Sequence, residues 1–143
     1  MSDYKNILVA VDLSKELDKV LEKAVDIATK YDSRIWLIHV VEPIILDANA
    51  DFAPSFDMDI EKDLVARAEK TLMPTVDKLE IDCSVTVLVG SIKREIHTQA
   101  KEKNCSLIII GTHGRHGMAR LLGSTASAVL HGAPCDVLTV KIY

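Results

Sequence analysis

Four of the chain's six glycines fall within thirteen positions: Gly111, Gly114, Gly117 and Gly123. They sit in LIIIGTHGRHGMARLLGSTAS, residues 107–127, where an apolar run gives way to a glycine turn, a basic segment and Gly123-Ser124-Thr125. Glycine lets backbone approach a ligand closely and tolerates positive φ. A helix opening at Ser124 would offer unpaired N–H groups, a partial positive charge and two hydroxyls, with Arg115 and Arg120 adding cationic charge nearby. The chemistry that suits this set is the holding of phosphate. A glycine-bearing turn followed by a Ser-capped helix would use the same residues, and residue types alone leave both readings open.

Several neighbouring chemistries are excluded by spacing. A Walker A loop needs lysine before the helix, whereas Gly123 is followed directly by Ser124, and no GxGxxG occurs. His113 and His116 form a His-x-x-His pair without a CxxC or HExxH partner, so no metal site is expected. His39 lies within an apolar run and reads as a hydrogen-bonded core histidine. No nucleophile, base and acid fall into a recognisable set, and no carboxylate pair is spaced to hold Mg²⁺. A binding module is therefore expected rather than a catalyst.

These residues need a scaffold, and the apolar pattern supplies it. Residues 5–11 (KNILVAV), 34–41 (RIWLIHVV), 84–89 (SVTVLV), 106–110 (SLIII) and 136–142 (DVLTVKI) are short, nearly continuous apolar runs. They read as strands covered on both faces. Between the first two, Leu17, Val20, Leu21, Ala24, Val25 and Ala28 recur at helical spacing, with Ser14 positioned as an N-cap. A second helix is expected over 59–79, kinked or shortened at Pro74. A third starts at Gly90-Ser91 and stops near Asn104. A fourth covers 124–130 and ends at the His131-Gly132-Ala133-Pro134 stop. Residues 43–57 have no period and carry two prolines, so they read as a loop. Strands alternating with helices require right-handed crossovers, hence a parallel sheet with helices on both faces. Ligands of such sheets bind at the strands' carboxyl ends, where Asp12 and the glycine segment both lie.

Composition agrees. Hydrophobic residues make up 48% and charged residues 27%, a globular balance within one domain spanning residues 1–143. Net charge is −4, which gives no general attraction to nucleic acid or to an anionic membrane. No apolar run approaches the roughly 20 residues of a membrane span, and the N-terminal stretch lacks a signal-peptide cleavage site. Cys83, Cys105 and Cys135 are odd in number and widely spaced, as free thiols in a reducing cytoplasm would be.

The pieces KNILVAVDLS, IWLIHVVEP, CSLIIIGTHGRHG and LLGSTASAVLHGAPCDVLTV, in this order, resemble universal stress proteins of the A class over essentially the whole chain. The resemblance implies a Rossmann-like α/β domain with strand order 3-2-1-4-5. It also implies a cytoplasmic homodimer formed through the C-terminal strand, and a role as regulator or sensor in stress survival. Some members of this family bind ATP, with Mg²⁺ accompanying the triphosphate. Carried over by position, Ala10, Val11 and Asp12 would line the adenine and ribose side, and Val40 would present backbone to the base. Ile110, Gly111 and Gly114 would flank ribose and phosphates, while Gly123, Ser124 and Thr125 would hold the phosphates. ATP-binding members carry G-x2-G-x9-G-[ST]. Here only eight residues separate Gly114 from Gly123. One residue fewer displaces donors by up to a few Å, and Gly117 is available to absorb the change. The alternatives are a nucleotide-free dimeric interaction protein whose shortened loop blocks the pocket, or, since parts of the family show slow ATP hydrolysis or autophosphorylation, a weak ATPase or an autokinase labelled at Ser124.

Overall fold

The computed structural model describes residues 3–14, 17–43, 58–112 and 123–141. The elements run in the order β1 (Asn6–Ala10), α1 (Leu17–Tyr31), β2 (Arg34–Val41), α2 (Met58–Asp77), β3 (Cys83–Val89), α3 (Ile92–Glu102), β4 (Leu107–Gly111), α4 (Ser124–Leu130) and β5 (Asp136–Val140). The strands form one five-stranded sheet in the order β3-β2-β1-β4-β5, and every neighbouring pair is parallel. This is the Rossmann-like α/β arrangement that the pattern of apolar runs and the family resemblance together lead one to expect.

Burial follows position in the sheet. In central β1 the residues Ile7, Leu8 and Val9 are wholly buried, and in β4 so are Ile108 and Ile109. Alternate side chains feed two separate cores. On one face Ile7, Val9, Leu107 and Ile109 meet Val20, Leu21, Ala24 and Ala28 of α1 and Leu72 and Val76 of α2. On the other, Leu8, Ala10, Ile108 and Ile110 meet Ile96 and Ala100 of α3 and Ala126 and Val129 of α4. Edge strand β3 is only half-buried along its length, as a strand with one neighbour must be.

The helix ends show why the sequence stops where it does. α1 ends at Tyr31; Asp32 after it takes φ of 51°, and Ser33 N–H reaches back to the Ala28 carbonyl at 2.8 Å. α3 closes in the same way, with Asn104 at φ of 53°, and Cys105 N–H donates to Ala100 O at 2.8 Å. Both are left-handed caps that satisfy an orphaned carbonyl of the last turn. α4 stops before Gly132, which takes φ of 73°.

Pro74 does not behave as its type suggests. α2 runs through it to Asp77 without ending. Leu72 before it and Val76 after it are both buried against the sheet, so packing on either side holds the helical path despite the missing N–H. β5 ends at Val140 rather than Ile142, which lies outside the described residues. Of the loop expected over 43–57, residues 44–57 also lie outside them.

Candidate nucleotide-binding cleft

At the carboxyl ends of the strands, backbone hydrogen bonds continue beyond the strand ladders. Val11 N–H donates to Ile38 O at 3.0 Å, Gly90 N–H to Val41 O at 3.0 Å, and Thr112 N–H to Val140 O at 2.9 Å. β1 and β4 are neighbours here, yet α1 leaves β1 on one face of the sheet and α4 leaves β4 on the other. The strand order reverses at this seam, and a crevice opens because no single helix covers both exits.

The crevice holds a cavity of about 100 Å³ and opens to solvent at its mouth. Ala10, Val11, Asp12, Val40, Ile110, Gly111 and Thr125 line it, so most residues expected from the sequence are brought together. Gly123 and Ser124 stand at the entrance of α4, outside the lining, and Ser124 is exposed. Gly114 lies outside the described residues, as do His113 and His116.

Six further lining residues carried no functional signal. Leu17, Val20, Ile38, Ile92 and Ile96 hold core positions at helical or strand spacing, and they also form the cleft's apolar walls. His39 is the sixth. It is hydrogen-bonded, as expected, but it is half-buried in the cleft lining rather than enclosed in the core. Its Nδ1 lies 2.8 Å from the Val11 carbonyl. Register carried the clue: Ala10 pairs with Ile38, so one step further Val11 stands opposite His39.

Among the described residues the polar side chains lining the cleft are Asp12, His39 and Thr125. Asp12 is held in place. Its Oδ1 accepts from Ser14 N–H at 3.1 Å and from Ser14 Oγ at 2.5 Å, a local turn that fixes the carboxylate beside β1's end. At β4's end the Thr112 carbonyl accepts from Gly123 N–H at 2.7 Å, which ties the start of α4 to the strand. The Gly123 N–H is thereby consumed, so what this glycine offers is the absence of a side chain rather than a donor. Thr112 Oγ1 is buried and has no hydrogen-bond partner among the described residues. His97 Nε2 meets the Val129 carbonyl at 2.7 Å and braces α3 against α4 below the cleft.

No cluster of metal-ligating side chains is present among the described residues. The three cysteines are free, and all lie away from the cleft lining. Burial pushes the Cys105 thiol up to about 12, with Cys135 nearby adding to the rise and Lys103 opposing it. Burial first and Asp82 second push Cys83 up to about 11. Cys135 is raised by burial and by Asp136. Raised thiols are poor nucleophiles near neutral pH.

A family model, described as the universal stress protein family, matches residues 3–141. The chain belongs to the universal stress protein family. Universal stress protein A homolog 2 of Coxiella burnetii is 42% identical over 144 residues, covering 99% of this chain and 98% of its own length. Among solved structures, universal stress protein UspA from Lactobacillus plantarum superposes with a TM-score of 0.78 at 26% identity, covering 98% of this chain and 99% of its own. A universal stress protein from Archaeoglobus fulgidus, solved in complex with dAMP, superposes with a TM-score of 0.61 at 22% identity, covering 98% of this chain and all of its own. The last shares the fold with this chain.

Proposed function

We propose that this universal stress protein binds an adenine nucleotide in the cleft at the β1–β4 seam and acts as a regulator or sensor in the stress response. The observation that carries the reading is the cleft's make-up: aliphatic walls with a few polar groups at defined places. Val11 and Val40 would flank the base, and the Asp12 carboxylate would accept from ribose hydroxyls. Gly111 leaves room for the ligand where β4 ends, and the hydroxyls of Ser124 and Thr125 would meet phosphate oxygens, with Gly114 and Gly123 allowing close approach. The dAMP held by the Archaeoglobus fulgidus protein of the same fold supports the same ligand class.

ATP is the proposed form, with Mg²⁺ held largely by its phosphates and by water. Asp12 is the only carboxylate lining the cleft among the described residues, and one of its oxygens is committed to Ser14. That favours holding the nucleotide over hydrolysing it.

The proposed assembly is a cytoplasmic homodimer joined through β5. This strand lies at the sheet's edge with one neighbour, and its Val137 and Leu138 are half-buried. A second copy would cover that edge. No helix among the described residues is long and apolar enough to cross a membrane.

Thermal unfolding with and without Mg-ATP tests the central reading. At 100 times its dissociation constant a ligand of the folded state adds about 2.7 kcal/mol. For a chain of 143 residues that amounts to a rise of about 9 °C in Tm. An unchanged Tm at millimolar Mg-ATP would favour the nucleotide-free interaction protein, and steady phosphate release or labelled Ser124 would favour the weak enzyme.

A further inference from the structure

The ring of His39 has two nitrogens with different fates, and one of them is decided by elementary bonding rules. The Val11 carbonyl can only accept, so the 2.8 Å contact requires the proton on Nδ1. Val11 is then held at both backbone groups, its N–H by Ile38 O at 3.0 Å and its carbonyl by His39. The next residue is Asp12, whose carboxylate is fixed by Ser14. Three successive restraints thus carry β1's alignment past its last ladder residue, Ala10, and out to the cleft mouth. The His39 link joins a side chain of β2 to the backbone that enters this turn.

We infer that His39 is a positioning residue for the cleft: as the Nδ1–H tautomer it clamps the Val11 carbonyl and so sets where Asp12 presents its carboxylate. Without the clamp the carbonyl loses its donor, and the backbone leading into the Asp12 turn keeps the Val11 N–H bond but loses its second restraint. The site must then order the turn when ligand arrives, which weakens binding. This role rests on the nucleotide reading for its effect on affinity, while the clamp itself is testable without any ligand.

The experiment has two arms. In the first, long-range ¹⁵N NMR of the unliganded protein reads the His39 tautomer, and amide exchange is followed at Asp12, Leu13 and Ser14. The expected results are the Nδ1–H form, faster exchange at these amides in His39→Leu, and near-normal exchange in His39→Asn. The asparagine amide nitrogen takes the place of Nδ1 and can still donate to Val11 O, whereas leucine keeps bulk and loses the donor. In the second, Mg-ATP affinity is measured by calorimetry. His39→Leu should weaken it about fivefold to tenfold, the worth of one net hydrogen bond, and His39→Asn by less than about threefold.

An Nε2–H tautomer overturns the inference, as does His39→Leu with unchanged exchange at the Asp12 turn. So does equal loss of affinity in both variants, which would mark an effect of the ring itself. If the unmodified protein binds no Mg-ATP, the nucleotide reading falls, and the first arm alone decides the clamp. Should His39→Leu fail to fold, the tautomer of the unmodified protein still decides it.

Discussion

Ile109 and Ile110 are adjacent in β4 and face opposite cores, and trimming each to alanine should separate the scaffold from the site. Ile109 is wholly enclosed between the sheet and the α1–α2 layer; Ile110, 5% exposed, faces α3 and α4 and lines the cleft. Either substitution removes about three methylene equivalents, a transfer loss of about 2.4 kcal/mol. At Ile109 the void is sealed by Val9, Leu107 and α1, so a cavity term adds and the total should reach about 3–5 kcal/mol. At Ile110 the void joins an existing opening, so water can enter and the cost should stay near about 2–3 kcal/mol. Urea unfolding with an unchanged m-value reads both figures. Nucleotide affinity should fall in Ile110→Ala and stay the same in a folded Ile109→Ala. If Ile109→Ala costs no more than Ile110→Ala, or if both lower affinity equally, the account of a sealed position at Ile109 beside a cleft-lining one at Ile110 is wrong.

Stability should respond to alkaline pH through the cysteines. A thiol raised in the fold from 9.0 to about 12, as Cys105 is, keeps its proton after the unfolded chain has lost it. The stabilisation is therefore intact below about pH 9 and drains away as pH climbs from there towards 12, and a Cys105→Ala variant should flatten that decline in unfolding titrations. At pH 8 a thiol reagent should label native Cys105 far more slowly than the denatured chain; labelling at equal rates would refute its burial. Gly132→Ala should cost about 1 kcal/mol in chemical denaturation, because φ of 73° disfavours any residue with a Cβ even though that Cβ would meet open space. Asp12→Ala should cost about 1 kcal/mol through loss of the Ser14 contacts, and Asp12→Asn, which retains an acceptor oxygen, should cost less than half of that.

The strands were legible because each is a compact apolar run, and such runs in a parallel sheet have one simple solution. That Asp12 and Gly111 would stand together at the strands' carboxyl ends was legible from the order of apolar runs, and both line the cleft. What escaped the sequence depended on partners distant along the chain. Nothing local distinguishes His39 from a core histidine until register sets it across from Val11. The loss of Gly123 as a donor needed the Thr112 carbonyl, which turns towards it only once β4 has ended. The persistence of α2 through Pro74 came from burial on both sides of the proline, where tertiary packing overrides local propensity. Leu17, Val20, Ile92 and Ile96 have a double role that periodicity cannot express, since a core stripe and a cleft wall look the same along a helix.

The pairing of Ile7 with Leu107 joins positions 100 residues apart. While the chain is being synthesised, β1 can find β2 early, but its other neighbour emerges only after about three-quarters of the polypeptide. Until then the two walls of the crevice do not face each other, and a ribosome-bound intermediate has nowhere to accept the ligand. A small molecule lodged across that seam would therefore bind only finished molecules, and its occupancy would count how many chains had completed folding.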